Sequence, residues 1–188
     1  MLDTLPQLTL ALALAALFVA AALHKLLAGE QWPVVVRQYR LLPKSLAGPV
    51  ALVLPFTEAS AALALLWPHT RAAGAVAVAA LLLVYAAALA INLRRGRRSI
   101  DCGCFGGQRR QCIAPWMVGR NLVLAALALV LLPHAHAHAR APSATELSLA
   151  LVFVVTLGFL YPVLQVVLQP SSPSFDDNLR ASRARAGF

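Results

Sequence analysis

Acidic residues are scarce in this 188-residue chain, in which seven Asp and Glu stand against 16 Lys and Arg. Charged residues of both signs make up only 12% of the sequence, hydrophobic residues make up 60%, and the mean hydropathy is +0.74. A soluble domain carries roughly a quarter of charged residues, so this composition excludes one and indicates an integral membrane protein. The chain also lacks a Gly-rich phosphate loop, a Ser-His-Asp arrangement and any RNA- or DNA-binding motif. The formal charge of +9 is therefore assigned to membrane topology and lipid headgroups, and nucleic acid is not expected as a partner.

Long apolar runs take the place of the missing charge. A membrane-spanning helix needs about 20 predominantly apolar residues, and the sequence predicts five such helices, at residues 5–28, 46–67, 72–93, 117–132 and 147–168. No positively charged leader precedes the first run, so we expect a retained anchor rather than a secretion signal. The fourth run is the weakest, because it is short and carries Arg120 and Asn121 in its first turn. The predicted fold is an all-α polytopic membrane helix bundle at 1–169, with a four-helix core and a C-terminal helix, followed by a flexible tail at 170–188.

The distribution of Lys and Arg predicts the orientation, because cytoplasmic loops carry the excess of positive charge. One side of the predicted bundle holds most of the basic residues: Arg37, Arg40 and Lys44 in the first loop, Arg94, Arg95, Arg97, Arg98, Arg109 and Arg110 in the third loop, and Arg180, Arg183 and Arg185 in the tail. The opposite side holds only Arg71 and Arg140. We therefore expect the N-terminus outside, and the third loop and the C-terminus in the cytoplasm.

The third loop contains a candidate redox site. Cys102 and Cys104 are separated by Gly103, which lets the backbone bend until the two sulfurs meet, and such a small, strained ring is easily reduced. Neighbouring arginines favour the reactive thiolate, whereas Asp101 opposes it. Cys112 is a candidate resolving thiol. Two alternatives stay open: the cysteines could ligate a metal, which is not favoured because a fourth ligand would have to come from elsewhere, or they could be small packed residues without chemistry.

Polar residues inside the apolar runs form a second candidate site. Glu58 lies near the middle of the second predicted span, where a carboxylate must be neutral, paired or directed to a polar cavity. His24 is a candidate for proton transfer during thiol exchange, although a packed interfacial role is the alternative. Four further residues are candidates for lining a cofactor site: Lys25, Asn92, Arg120 and Asn121. For Lys25 and Arg120 the alternative is that the side chain snorkels to the lipid headgroups, and for Asn92 it is a helix cap.

Alternating histidines follow the fourth predicted span. They could hold a metal, but a short Ala/His segment beside Pro133 is more typical of a solvated connector, which is the interpretation adopted for residues 134–138.

The order of these residues resembles the MauE family of methylamine-utilisation membrane proteins, which is itself similar to the DoxX/DoxD-like proteins. The resemblance spans roughly residues 8–132, and its specific element is Cys102-Gly103-Cys104-Phe105-Gly106. It implies a multi-pass protein of the bacterial inner membrane that works with a thioredoxin-like partner, MauD. It further implies a role in maturation, including disulfide formation, of the small β-subunit of methylamine dehydrogenase. The other residues that carry it are His24-Lys25-Leu26, Glu58, Asn92 to Gly96, and Arg120-Asn121.

The implied function and the predicted orientation conflict, because a disulfide-rich substrate matures outside the cytoplasmic membrane while the arginines place the cysteine loop inside. Electrons could cross the membrane through a buried path, the loop could fold back between the helices against His24, Glu58, Asn92 and Arg120, or the charge rule could mislead. The leading hypothesis is a thiol-disulfide oxidoreductase that acts as a maturation factor, with a quinone or a thioredoxin-like protein exchanging electrons. The rival hypothesis is a non-enzymatic membrane chaperone or transporter component whose cysteines only brace the loop.

Overall fold

A computed structural model describes residues 4–97, 113–132, 143–152 and 154–156. Within these residues all regular secondary structure is helical, which confirms the predicted all-α class. The elements in chain order are α1 (Thr4–Leu27), α2 (Gln31–Gln38), α3 (Lys44–Leu66), α4 (Arg71–Arg94) and α5 (Pro115–Val130).

Three of the described helices are long and apolar enough to cross a membrane, namely α1, α3 and α4. They correspond to the first three predicted spans within two residues at each end. The fourth predicted span is α5, a shorter helix of 16 residues. The fifth begins within a further apolar helix, Ala144–Thr156, and continues outside the described residues, as does the predicted tail.

The chain divides into two compact units, Met1–Leu151 and Val152–Phe188. In the first unit α1 packs on α3, α3 on α4 and α4 on α5, while α5 also touches α1, so the helices form the four-helix core that the sequence predicts. Small residues dominate the buried stripes, as expected where helices approach closely in lipid. The core includes Leu14 and Phe18 of α1, Ala62 and Leu65 of α3, Val78 and Leu82 of α4, and Ala125 and Ala128 of α5. Of the second unit the structure describes only Val152 and residues 154–156, which are helical.

A close approach joins α3 to α4 at their connecting turn. A Cβ atom on Gly74 would lie 2.6 Å from the backbone nitrogen of Leu65, so only glycine permits this spacing. The turn is also held by side chains, because Thr70 donates to the carbonyl of Ala64 at 2.9 Å and Arg71 Nε donates to that of Leu65 at 3.2 Å. The α3–α4 hairpin is therefore fixed at the end away from α2.

The first connection contains a helix that the hydropathy pattern does not predict. α1 ends at Leu27, and α2 follows after a short turn in which Gly29 has a φ of +51°, a conformation that glycine adopts readily. α2 packs on α3, and none of its residues is fully buried. The loop that was expected between the first two spans is therefore partly helical.

Candidate functional site

Glu58 is almost completely buried, with 1% of its surface exposed, and it is paired with Lys25. The Lys25 ammonium donates to both carboxylate oxygens, at 2.6 Å to Oε1 and 2.7 Å to Oε2. The Tyr85 hydroxyl of α4 also donates to Oε1. Three hydrogen bonds from two other helices thus compensate a carboxylate that would be costly at this depth if it were alone.

This ion pair fixes the axial position of α1 against α3. Lys25 is in the last turn of α1, whereas Glu58 lies 14 residues after Lys44 (44 to 58), about 21 Å into α3 at a rise of 1.5 Å per residue. Further along, Leu14 and Phe18 pack with Leu65 in one core, as expected if the two helices run in opposite directions. The first half of α3 therefore extends beyond the end of α1, and α2 packs along it.

Trp32 of α2 occupies a position created by a proline in α3. Pro55 has no N–H, so the carbonyl of Ala51, four residues earlier, has no intrahelical donor. The indole Nε1 of Trp32 donates to that carbonyl at 2.9 Å. The Trp32 ring centroid then lies 5.2 Å from Lys25 Nζ, and the Tyr85 ring centroid lies 5.5 Å away, so two aromatic faces flank the ammonium by cation–π contact.

A cavity of about 500 Å³ adjoins this cluster between α2, the first half of α3 and the second half of α4. Its lining is predominantly aliphatic and aromatic, and Lys25 and Tyr85 contribute the cluster's polar groups to its wall. A concave apolar site with a few convergent polar groups is the usual form of a small-molecule site. Exposed apolar residues of α4 also line it: Val84, Ala87 and Ile91.

The cysteine loop lies outside the described residues, as do Cys102, Cys104, Cys112 and the histidines at 134–138. The residues on either side of the loop are described. Ile113, which directly follows Cys112, is 2% exposed and belongs to a cluster with Leu89 and Met117, against which Tyr39 and Leu93 pack. Because Tyr39 and Leu89 also line the cavity, one end of the cysteine loop is anchored beside the cavity wall.

The other end of the loop is anchored through Asn92 and Arg97. Gly96 has a φ of +70° and ends α4, and the Arg97 N–H donates to the Asn92 carbonyl. The buried Asn92 side chain donates to the Ala88 carbonyl and accepts from Arg97 Nη1 at 3.3 Å, and Arg97 also donates to the Tyr39 carbonyl. Asn92 therefore braces the end of α4 rather than lining the cavity.

The remaining predicted residues lie in different surroundings. His24 is half-buried and precedes Lys25, and adjacent helical residues point about 100° apart, so its ring faces another side of α1. Arg120 is half-buried and stacks over the Trp116 ring at 5.4 Å. Asn121 is 3% exposed on the buried stripe of α5, and its Nδ2 has no hydrogen-bond partner among the described residues. Of the predicted set, the structure brings together Lys25 and Glu58.

Two members of the cluster are missed by sequence reasoning, namely Tyr85 and Trp32. Tyr85 has a signal, because it is the one phenol in a helix otherwise built from Ala, Leu and Val with few polar residues. Trp32 has no such signal in the sequence, because its role depends on the carbonyl of Ala51, 19 residues away.

Comparisons with known proteins agree with the resemblance. The family described as methylamine utilisation protein MauE matches residues 4–134. Similar curated proteins, each named methylamine utilization protein MauE, are those of Paracoccus denitrificans (55% identical over 116 residues), Paracoccus versutus (48% over 116 residues) and Methylorubrum extorquens (44% over 115 residues).

The matched region is 62%, 62% and 60% of this chain, respectively, and 62% of the length of each of the three relatives. No solved structure matches the chain. The region that the family matches, residues 4–134, contains the four-helix core, the Lys25–Glu58 pair and the cysteine loop. The chain belongs to the MauE family of methylamine utilisation proteins.

Proposed function

We propose that this chain is a membrane factor of methylamine utilisation that carries out thiol-disulfide exchange through Cys102 and Cys104. Membership of the MauE family supports the pathway, and the Cys-Gly-Cys element supports the chemistry. The substrate that the resemblance implies is a protein that matures outside the cytoplasmic membrane, such as the small β-subunit of methylamine dehydrogenase. A thioredoxin-like protein is the proposed intermediate partner.

A single exchange between the partner's two thiols and the Cys102–Cys104 disulfide is balanced in atoms and electrons. A partner thiolate attacks one sulfur of the Cys102–Cys104 disulfide and forms a mixed disulfide, and the second partner thiolate then releases the chain as the dithiol. The partner gains a disulfide and loses two electrons, which reside in the reduced Cys102–Cys104 pair. Arg97 and the other loop arginines favour the thiolate forms that this reaction needs.

The anchoring of the loop is the observation that carries the proposal. Ile113 packs against Leu89 at one end, and Arg97 is held by Asn92 and by the Tyr39 carbonyl at the other. A redox pair needs its two sulfurs within reach of each other and of a partner, and two fixed loop ends reduce the conformational freedom that opposes this. The proposed location is the bacterial inner membrane. Because the basic residues favour the cytoplasmic end of the bundle for the loop, exchange with an external substrate needs either a buried electron path across the membrane or a loop that folds back between the helices.

Thiol trapping in intact cells tests the proposal. After an acid quench, mass-tag alkylation with and without prior reduction is compared for wild type, Cys102→Ser, Cys104→Ser and Cys112→Ser. We expect a Cys102–Cys104 disulfide whose fraction changes when the thioredoxin-like partner is removed, and we expect the substrate to lose its disulfides in the double Cys102→Ser/Cys104→Ser variant at normal membrane levels.

Thiols that remain reduced in every background, together with unchanged substrate maturation, would reject the redox function. The non-enzymatic chaperone or transporter hypothesis would then replace it. Cys112→Ser tests the third thiol of the same loop: accumulation of a mixed disulfide with the partner in this variant would assign Cys112 the resolving role, and wild-type behaviour would exclude that role.

A further inference from the structure

We propose that the cavity between α2, α3 and α4 binds a membrane quinone, which takes up the two electrons released when Cys102 and Cys104 form their disulfide. The inference rests on the proposed function for its electron donor. It adds the chemical class of the terminal acceptor and the site that holds it.

The apolar part of the cavity favours a lipid-soluble ligand. Its volume of about 500 Å³ is within the range of small-molecule sites, which is roughly 300–1,000 Å³. Val84, Ala87 and Ile91 are exposed, line the cavity and belong to α4, a helix long and apolar enough to cross the membrane. A ligand with an apolar tail can therefore enter from the bilayer and leave its tail between these residues.

The polar part of the cavity favours an uncharged carbonyl compound. A lysine ammonium has three N–H donors, and Lys25 directs two of them to Glu58. Among the residues that the structure describes none accepts the third, which can therefore bond to an acceptor on a ligand. Because Glu58 neutralises Lys25, the pair presents no net charge to attract a phosphate or carboxylate headgroup. Trp32 and Tyr85 add aromatic side chains to the same wall, and aromatic rings pack favourably with a quinone ring.

The cavity is also connected to the cysteine loop through packed side chains. Tyr39 and Leu89 line the cavity and contact the cluster that contains Ile113, the residue directly after Cys112. Leu89 therefore belongs both to the cavity wall and to the cluster that anchors one end of the loop.

The proposed reaction is balanced by the quinone alone. Formation of the sulfur–sulfur bond between Cys102 and Cys104 releases two electrons and two protons from the two thiols. The quinone takes up both electrons and both protons and becomes the hydroquinone. Lys25, Glu58 and Tyr85 are joined by hydrogen bonds beside the cavity, so they can pass protons to a quinone oxygen and return to their starting state.

Titration with a short-tailed ubiquinone analogue tests the inference, using the full chain in nanodiscs and quenching of tryptophan fluorescence as the readout. Two alanines seven residues apart on the exposed side of α4 provide matched variants, of which only Ala87 lines the cavity. We expect saturable binding that Ala87→Phe weakens by at least about tenfold, because the added ring occupies the cavity, and that Ala80→Phe leaves unchanged. We also expect the analogue to oxidise the Cys102–Cys104 dithiol under anaerobic conditions.

Absence of saturable binding, or equal binding by both phenylalanine variants, would overturn the inference. So would a phospholipid that co-purifies with the chain, is lost in Ala87→Phe and is not displaced by the analogue. Thiol cycling in cells without quinone binding would reject this inference and leave the proposed function standing. Binding by the Cys102→Ser/Cys104→Ser variant is expected to match wild type, because the described lining of the cavity is unchanged in it, so the site can be tested even if the redox function fails.

Discussion

Lys25 and Glu58, 33 residues apart in the chain, form an ion pair in which one ammonium bonds to both oxygens of one carboxylate. The pair joins the end of α1 to the second half of α3, and Tyr85 links it to α4. Its side chains are 4% and 1% exposed, so each charge depends on the other for compensation.

Replacing one member of this pair is expected to destabilise the protein more than replacing both. Lys25→Met or Glu58→Leu alone should lower the free energy of unfolding by roughly 3–5 kcal/mol, because each leaves an uncompensated buried charge, whereas the double variant should recover most of that loss. Unfolding of the purified chain in mixed micelles gives the free energy of unfolding of wild type, the two single variants and the double variant. Arg94→Met, at an exposed basic residue of α4, is the control and should change little. A double variant that is as unstable as the sum of the single variants would contradict the pairing.

The hydrogen bond from Trp32 to the Ala51 carbonyl should depend on Pro55. Trp32→Phe removes the indole donor and should cost about 1 kcal/mol or more, because it leaves the carbonyl unsatisfied. In a Pro55→Ala background the new N–H of residue 55 can bond to that carbonyl within α3, so Trp32→Phe should cost less. The same unfolding measurement gives the coupling energy. Equal costs in the two backgrounds would show that proline does not create the acceptor.

Gly74 and Gly119 should respond in opposite directions to alanine. At Gly74 the added Cβ would meet backbone atoms of Leu65 and Ala64 at 2.6 and 2.8 Å, so α3 and α4 must separate, at a cost of about 1–3 kcal/mol. At Gly119, inside α5, nothing described lies within 4 Å of the new atom, and alanine should stabilise the helix by roughly 0.5–1 kcal/mol. Thermal unfolding midpoints compare them. A Gly74→Ala variant as stable as Gly119→Ala would refute the close approach.

The orientation predicted from the basic residues can be measured with single cysteines. In a background with Cys102, Cys104 and Cys112 replaced by serine, His69→Cys should react in intact spheroplasts with a membrane-impermeant maleimide, because the α3–α4 turn is expected outside. Glu30→Cys should react only after permeabilisation. Both positions are exposed in the structure, so access to the reagent depends on sidedness. The reverse labelling pattern would place the basic loops outside and would remove the conflict between the cysteine loop and an external substrate.

The predicted class and the first three spans follow from sequence alone, because in lipid every backbone polar group must be satisfied within its own segment and a long apolar run has little alternative to a helix. α5 is found where the fourth run lies, but at 16 residues it is shorter than a full span. α2 is missed because an eight-residue helix along the side of α3 has no long apolar run to reveal it. The predictions for Cys102, Cys104 and Cys112 fall outside the described residues and stay predictions.

The sequence by itself determined that this is a helical membrane protein of the MauE family, where its long helices lie, and that Glu58 needs compensation, because hydropathy and the cost of a buried carboxylate are local properties. Only the tertiary structure decided that Lys25 supplies this compensation, that Trp32 and Tyr85 flank it, and that a cavity adjoins it. These depend on the axial offset of α1 against α3 and on a carbonyl freed by Pro55. The offset of the helices and the contact made by this carbonyl are set by helix packing, and neither can be read from the spacing of residues along the chain.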